Sequence, residues 1–335
     1  MAVSMRDVAQ LAGVSQRTVS NVVNDYQFVR PETRERVQQA METLGYVPNA
    51  AARSLRAGRT GMLALVIPNF EARYFADLAG AVIHEAETLG YTVLIEVSGA
   101  SHDREVGVLA GGRSQLTDGA IMSALTLQQA DEHLRRPGYP LVLVGDLVFE
   151  GPVDHVGIPN REAARTAVEH LISVGCRRVM LLGTENGPAT TSKLREQGYR
   201  ETLEAAGLPV LPELLLDTEW GRQRGQDAME RFVASDIELP DGIFAMNDSL
   251  ALGALRALRS AGLRVPEDVA VVGFDDVEEA RFASPSLTSI SPAVEEIART
   301  AVRLVHEQIT GRPARTATHV LVEYELKVRE STARQ

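Results

Sequence analysis

The sequence predicts a small all-α head followed by an α/β core of two lobes with parallel sheets. Three observations carry that prediction. Residues 4–24 hold two short helical patterns separated by a single turn glycine. From Met62 onward, continuous apolar runs alternate with helical segments, as buried parallel strands with crossover helices do. The same rhythm restarts at VMLLG, from Val179. A chain of 335 residues has room for two or three such units.

Ser4 followed by Asp7 has the form of a capping box, which starts a first helix at about Met5. Val8, Leu11 and Ala12 fall on one side of it. Gly13 supplies the tight turn, and Ser15 caps a second helix. On that helix Gln16, Arg17, Ser20, Asn21 and Asn24 share one face, while Val19, Val22 and Val23 share the other. Hydroxyl, amide and guanidinium groups held outward by a valine back have the form of a DNA recognition helix. A helical hairpin with a merely solvated polar face has the same spacing.

The loop DYQFVR leads to Pro31, placed at the first turn of a third helix whose start Arg30 caps poorly. Val37, Met41 and Leu44 recur at helical spacing, and Gly45 closes it. In YVPNAAARSLRAGRT, Pro48 stops the head, Asn49 caps, and AAARSLRA favours helix until Gly58. So short a helix does not persist in water by itself, so this is a linker that orders on binding or a plain solvated one.

Composition is that of a soluble globular protein, with 44% hydrophobic and 24% charged residues. The net charge of −11 is unevenly spread: residues 1–60 hold eight Arg against five Asp or Glu, a net +3, and the rest carries −14. A basic head on an acidic body fits a DNA-binding module attached to something that is not one. Cys176 is the single cysteine, which excludes an internal disulfide or a multi-cysteine metal site and makes the cytoplasm the natural compartment. Arg6 and Asp7 have no apolar run behind them, so no signal peptide is expected, and no stretch is apolar enough to span a membrane.

Residues 5–58 resemble the head and hinge of the lactose-repressor/galactose-repressor (LacI/GalR) family of bacterial transcription factors, through RDVAQLAGVSQRTVSNVVN and RPETRERVQQAMETLGYVPNAAARSLR. The resemblance implies that the second helix lies in the DNA major groove, with Gln16, Arg17 and Asn21 at base-reading positions. It implies a hinge that becomes helical on operator, with Leu55 as a wedge in the minor groove. The candidate DNA-contacting set is therefore Ser15, Gln16, Arg17, Thr18, Ser20, Asn21, Asn24, Asn49, Arg53 and Leu55.

In the core, MLALVIP, YTVLIEV, GAIMSAL and PLVLVG read as strands buried on both faces, and VMLLG, VLPELLL, DGIFAM and VAVVGF repeat the layout. Helices begin near Thr191, Trp220, Asp248 and Pro292. Two such halves form lobes with a cleft where strand C-termini meet helix N-termini. The order of elements is similar to the periplasmic-binding-protein-like core of the resembled family. By that likeness the chain crosses between lobes near residues 158–161, 288–291 and 318–321. This gives a head of residues 1–46, a hinge and linker of 47–61, a first lobe of 62–159 plus 290–320, and a second lobe of 160–289 plus 321–335. The last strand, HVLVEYELKVRE, then returns to the second lobe. Departures from the family pattern are Ala72-Arg73-Tyr74-Phe75 in place of a common Asn-Pro and aromatic pair, Pro159-Asn160 in place of Asp-Asn, and a glycine-rich loop GASHDREVGVLAGGRSQL.

Candidate cleft residues come from loops at strand ends. Tyr74 and Phe75 follow the first strand, Asp146 follows VLVG, Thr191 and Arg195 open the helix TSKLREQGYRETL, Trp220 begins the next, Asn247 follows GIFAM, and Asp275 follows VAVVGF. An aromatic ring beside a guanidinium and carboxylates suits a polyhydroxylated ring, by stacking on its face and hydrogen bonding to its edge. The resemblance places Asp146, Thr191, Arg195, Trp220, Asn247 and Asp275 at effector-contacting positions. Each has an ordinary alternative: Asp275 or Asp248 as a helix cap, Trp220 as a core aromatic, Arg195 paired with a glutamate on its own helix.

No G-x-x-x-x-G-K-[ST], G-x-S-x-G or H-E-x-x-H occurs, and the seven histidines are scattered singly. The expected protein is therefore not an enzyme and uses no metal or cofactor. It is a regulator, most simply a repressor, whose affinity for a pseudo-palindromic double-stranded operator changes when a small sugar-like effector binds between the lobes. A nucleobase or phosphorylated sugar acting as corepressor is the alternative effector, and a sugar-binding transport protein the alternative function. The polar end KVRESTARQ carries no leucine heptad, which predicts a homodimer without a tetramerising coil.

Overall fold

The computed structural model describes residues 3–23, 26–46, 59–136, 138–145, 153–184, 190–311 and 317–333, in two units, Met1–Thr60 and Gly61–Gln335. In the first unit, α1 (Met5–Ala12), α2 (Gln16–Val23) and α3 (Pro31–Leu44) enclose a core centred on Val8, Val19, Val22 and Val37. Ser4 starts α1 by a reciprocal cap: its hydroxyl accepts from the Asp7 amide at 3.4 Å, and the Asp7 carboxylate accepts from the Ser4 amide at 2.9 Å. Gly13 and Gly45 end α1 and α3 at φ 65° and 62°, in the left-handed region that favours glycine. Leu11 departs from expectation: it is exposed, and Ala9 takes the buried place. Leu11 lies roughly 100° around the helix from Ala12, beyond the stripe that α2 and α3 cover.

The second unit holds two six-stranded sheets. The first is built from β1 (Met62–Ile67), β2 (Thr92–Val97), β3 (Gly119–Ser123), β4 (Leu141–Val144), β5 (Asp154–Gly157) and β11 (His319–Leu321), in the order β11-β5-β4-β3-β1-β2 and parallel throughout. The second is built from β6 (Val179–Thr184), β7 (Leu215–Asp217), β8 (Gly242–Ala245), β9 (Ala270–Phe274), β10 (Thr288–Ser291) and β12 (Glu325–Lys327), in the order β12-β10-β9-β8-β6-β7. Only β12 runs antiparallel to its neighbour. Helices α4 (Arg73–Thr88) and α11 (Val294–Ile309) cover one face of the first sheet, and α5 (His102–Leu109) packs Val108 and Leu109 with Ala64, Val66, Ala120 and Met122 on the other. Helices α6 (Asn160–Ser173), α7 (Thr190–Ala205), α8 (Arg222–Val233) and α9 (Asp248–Ser260) flank the second, and a short α10 (Glu278–Phe282) follows β9.

The chain passes between lobes after Gly157, after Ser291 and after Leu321. Boundaries expected at 289/290 and 320/321 therefore fall slightly early, because Ser291 still pairs in the second sheet and Leu321 in the first. HVLVEYELKVRE is not one strand returning to the second lobe: its start pairs with β5 and its middle with β10. Most of VLPELLL is also not strand, since Pro212–Leu214 forms a 3-10 turn before β7. Within the glycine-rich loop the chain forms α5, whose Val108 and Leu109 are buried. β2 is not buried on both faces; as an edge strand it leaves Leu94, Ile95 and Val97 exposed.

The polar end of the chain is folded in. Ser331 donates to the Val271 carbonyl at 2.6 Å and accepts from the Thr288 amide at 2.8 Å, while Arg329 donates to the Leu287 carbonyl at 2.6 Å and reaches the Asp276 carboxylate at 2.5 Å. Ser331 and Thr332 are fully buried with these partners, as buried hydroxyls require.

Close approach dictates two glycines in the core. A Cβ on Gly157 would lie 1.9 Å from the Gly145 carbonyl oxygen, and one on Gly273 would lie 2.1 Å from Asp248 Oδ1. Asp248 cannot easily move, since Ser289 Oγ donates to it at 2.6 Å and the Val277 amide at 2.9 Å. Gly273→Ala is expected to destabilise the core by about 1–3 kcal/mol through overpacking, measured as a lowered denaturant midpoint with unchanged slope. Full stability in that variant would mean that Asp248 is not held as described.

Candidate functional site

The head presents one polar surface. Ser15 Oγ accepts from the Thr18 amide at 3.1 Å and pairs with the Thr18 hydroxyl at 2.9 Å, so these two residues begin α2 and fix its first turn. Gln16 and Arg17 stand exposed beside them, and Ser20 and Asn21 are half-buried on the same helix. Val19 and Val22 hold the opposite face in the core. The loop after α2 adds two exposed aromatics not singled out from the sequence, Tyr26 and Phe28, whose rings meet edge to face at 5.4 Å. Arg34 donates to the Tyr26 carbonyl at 3.0 Å and ties that loop to α3. Asn24, Asn49, Arg53 and Leu55 lie outside the described residues.

In the second unit a cavity of about 100 Å³ opens between the lobes. Tyr74, Phe75, Thr191, Arg195, Trp220, Asn247 and Asp275 all line it, so seven of the residues named from the sequence meet at one place. Asp146 lies outside the described residues, one position beyond cavity-lining Gly145. The first lobe supplies Tyr74 and Phe75, packed edge to face at 5.3 Å at the start of α4. Asn69 Oδ1 accepts from the Ala72 amide at 3.0 Å and shapes that turn, where the resembled family commonly has Asn-Pro.

Arg195 is the centre of the second-lobe wall. It points inward and is 6% exposed, and it meets partners from other elements. Its Nε donates to Asn160 Oδ1 at 2.8 Å, its Nη1 donates to the Met246 carbonyl, and its guanidinium carbon stands 3.3 Å from the Phe274 ring centre and 5.5 Å from that of Trp220. Trp220 is half-buried and spends its Nε1 hydrogen on the Gly183 carbonyl at 2.8 Å, which leaves only its ring for a ligand. Asn247 is the helix cap: its Oδ1 accepts from the Leu250 amide at 2.9 Å at the start of α9, a role that neither Asp248 nor Asp275 takes.

Asp275 follows β9 in an unusual backbone state, φ 108°, and Asp276 follows at 50°. Non-glycine residues rarely adopt such angles, and they persist where surroundings hold them. Here the Asp275 amide donates to the Ile290 carbonyl at 2.8 Å, Ser289 Oγ accepts from the Asp276 amide at 3.1 Å, and Arg329 holds the Asp276 carboxylate. Burial pushes the Asp275 carboxyl up to about 7, against the pull of the Arg195 guanidinium. Asp275 lines the cavity between the lobes. Neighbouring Asp248 is also raised well above the carboxylate range by burial and by the charge of Asp275.

Sequence reasoning missed Asn160 and Ile297, which line the cavity, and Glu105, which shapes its wall. Glu105 is fully buried and accepts from the Leu125, Thr126 and Leu127 amides at 3.1, 2.9 and 3.2 Å, beside cavity-lining Leu125. A carboxylate in an amphipathic α5 gives no such sign; only the position of Asn160 at a lobe crossing pointed to the cleft. Among the described residues no group of three His, Cys, Asp or Glu is placed to hold a metal ion, and no helix is long and apolar enough to cross a membrane.

Comparison with known proteins gives matches along nearly the whole chain. Residues 4–49 match the model for bacterial regulatory proteins of the lacI family, and residues 168–332 match the periplasmic binding protein-like domain. The chain is 39% identical over 339 residues to the HTH-type transcriptional regulator CelR of Thermobifida fusca, covering 97% of this chain and 96% of that one. It is similar in structure to a transcriptional regulator CelR–cellobiose complex, at a TM-score of 0.71 and 35% identity, covering 98% and 99% of the two chains. It is also similar to the lac repressor dimer bound to operator and the anti-inducer ONPF, at a TM-score of 0.86 and 26% identity, covering 99% of each.

The raised Asp275 carboxyl predicts a stability dependence. The folded state keeps this proton up to about pH 7 whereas the unfolded chain releases it near the ordinary 3.8, so the stability it contributes is present at low pH and lost as pH rises between these values. Relative to Asp275→Asn, the wild type should lose stability across that window, by no more than about 4 kcal/mol at roughly 1.4 kcal/mol per pH unit. Denaturant titrations of both proteins at several pH values check this, and parallel curves would show that Asp275 ionises freely.

Proposed function

Because the chain belongs to the lacI family of bacterial regulatory proteins, we propose a division of labour between its two units. The protein is a DNA-binding transcriptional regulator, acting in the cytoplasm as a repressor and not as an enzyme. Its head reads an operator through Gln16, Arg17 and Asn21, and its lobed unit senses a small neutral sugar in the cleft. The observation that supports the sensing site best is the convergence of Arg195, Trp220, Asn247 and Asp275 on one cavity to which both lobes contribute.

Its chemistry favours a sugar over the alternatives. Asp275 offers a carboxyl group whose ionised form, populated above about pH 7 and favoured by ligand hydroxyls, accepts from them in place of the water that burial has removed. The same carboxylate opposes a phosphate, and Arg195 already has Asn160, the Met246 carbonyl and two aromatic rings as partners. Trp220 offers a ring for the apolar face of a sugar. A ligand touching both lobes favours their closure, and closure is the means by which occupancy reaches the head. The CelR relative is described in complex with cellobiose, which agrees with a carbohydrate effector here.

Operator recognition calls for two copies. Two heads on a symmetric dimer match the half-sites of a pseudo-palindrome, and Leu55 in the hinge would enter the minor groove between them. The lac repressor relative is described as a dimer on its operator. A second copy also covers the exposed apolar residues of edge strand β2, which are an association hazard when left open.

Three measurements test this reading. Light scattering at micromolar concentration should return a dimer mass, and a monomer or tetramer would overturn the assembly. Operator affinity at fixed salt should fall by about 1–3 kcal/mol per half-site in Arg17→Ala, with relaxed preference at one base position. Asp275→Ala should keep operator affinity but need about tenfold or more effector for the same response, since lost hydrogen bonds to a charged group weaken binding by ~1.5–3 kcal/mol. If Asp275→Ala kept the wild-type response, the cleft would not be the sensing site.

A further inference from the structure

The cavity described above does not end at Trp220. A second cavity of about 410 Å³ lies against it, and Ala72 and Trp220 belong to the walls of both. It too is formed between the lobes: Glu71 and Ala72 come from the first, and Gly221, Arg222, Gln223, Arg224 and Ser249 from the second. Resting on the sugar reading of the inner cavity, we propose that this outer cavity is a second subsite, and that the effector is an oligosaccharide of at least two units passing beside Trp220.

Size and chemistry argue for this together. At roughly 10–15 Å³ per water-sized sphere, the inner cavity holds one small ring and little more. The outer one is larger and differently lined. Both of its arginines are already paired within the protein, Arg222 with Glu279 at 3.3 Å and Arg224 with Glu219 at 3.1 Å, and Glu71 adds a carboxylate that accepts from hydroxyls and opposes an anion. An occupant therefore need bring no charge, and the remaining guanidinium hydrogens and the Ser249 hydroxyl suit neutral hydroxyl groups. Gln223 is oriented by donating to Asp227 at 2.7 Å, which leaves its amide oxygen as an acceptor. Trp220 stands between the two spaces with its N–H already used, so a sugar on either side meets the indole through C–H groups. A ligand filling both cavities touches both lobes twice, which adds to its preference for the closed arrangement.

Gly221 allows a clean test. Its backbone is extended, with φ −172°, and a Cβ there meets only the Arg224 side chain at 3.6 Å, so a larger residue is accepted and projects into the outer cavity. The full-length protein is titrated calorimetrically with glucose, galactose, cellobiose, maltose and lactose, as wild type, Gly221→Ala, Gly221→Phe and Gln223→Trp. In wild type and Gly221→Ala the best disaccharide should bind about tenfold or more tighter than the best monosaccharide. Gly221→Phe should remove that advantage while leaving monosaccharide affinity within about twofold, with operator affinity and thermal unfolding confirming the fold. Gln223→Trp, at an exposed helix position, should do the same should Gly221→Phe fail to fold. Equal affinity for the best monosaccharide and disaccharide in wild type, or a disaccharide advantage that survives the filling variants, would overturn the second subsite and leave the inner sugar site standing. If no sugar bound, both readings would fall together.

Discussion

A guanidinium almost wholly removed from water sits where the second lobe meets the cleft, and much of the site follows from how Arg195 is satisfied. A buried charge is costly unless its hydrogens are used and its field is answered. Here the answer is distributed. Asn160 comes from the start of α6 at a lobe crossing, the Met246 carbonyl from the end of β8, the Phe274 ring from the end of β9 and Trp220 from the turn before α8. One side chain on α7 thus registers four other segments. Displacing any of them leaves a donor unused or a charge uncovered, so the wall is rigid before a ligand arrives.

The acidic counterpart is built differently. Among the described residues Asp275 has no comparable set of partners, and burial raises its carboxyl to about 7 despite Arg195. What holds it is backbone geometry. Two successive residues at positive φ turn the chain after β9, and the turn is fixed from the far end of the sequence by Arg329 on Asp276. The buried Ser331 and Thr332 anchor that arginine. A carboxyl poised in this way gains most from a ligand that donates hydrogen bonds, which is the property a sensor of polyols needs.

Separating recognition from sensing also follows from composition. The first unit is small, basic and pinned by a valine-rich core, which frees the outer face of α2 for contact. The lobed unit is acidic, with a net −14 from residue 61 onward, so it adds little to nonspecific attraction for DNA. Under the proposed function, coupling would travel through motion of one lobe against the other, which the three crossings between lobes permit.

The sequence by itself determined the head almost residue by residue. Its signals are local: Ser4 with Asp7, Gly13, Pro31 and the valine spacing of α2 act within a turn or two. It also determined the two-lobed core, because buried parallel strands are apolar throughout, and together with the family resemblance it named seven cavity residues in loops and helix starts that follow strands. It misjudged β2, whose apolar run reads as buried although only its place at the sheet edge decides its exposure. It gave no sign that α5 forms within a glycine-rich stretch, or that HVLVEYELKVRE serves two sheets. Tertiary structure alone decided that Glu105 holds the cleft wall, that Asn160 partners Arg195, that Asn247 is the cap in place of an aspartate, and that a polar chain end is buried to fix Asp276. Each of these depends on partners tens of residues away, and a buried polar group takes its meaning from the donor or acceptor that the fold brings to it.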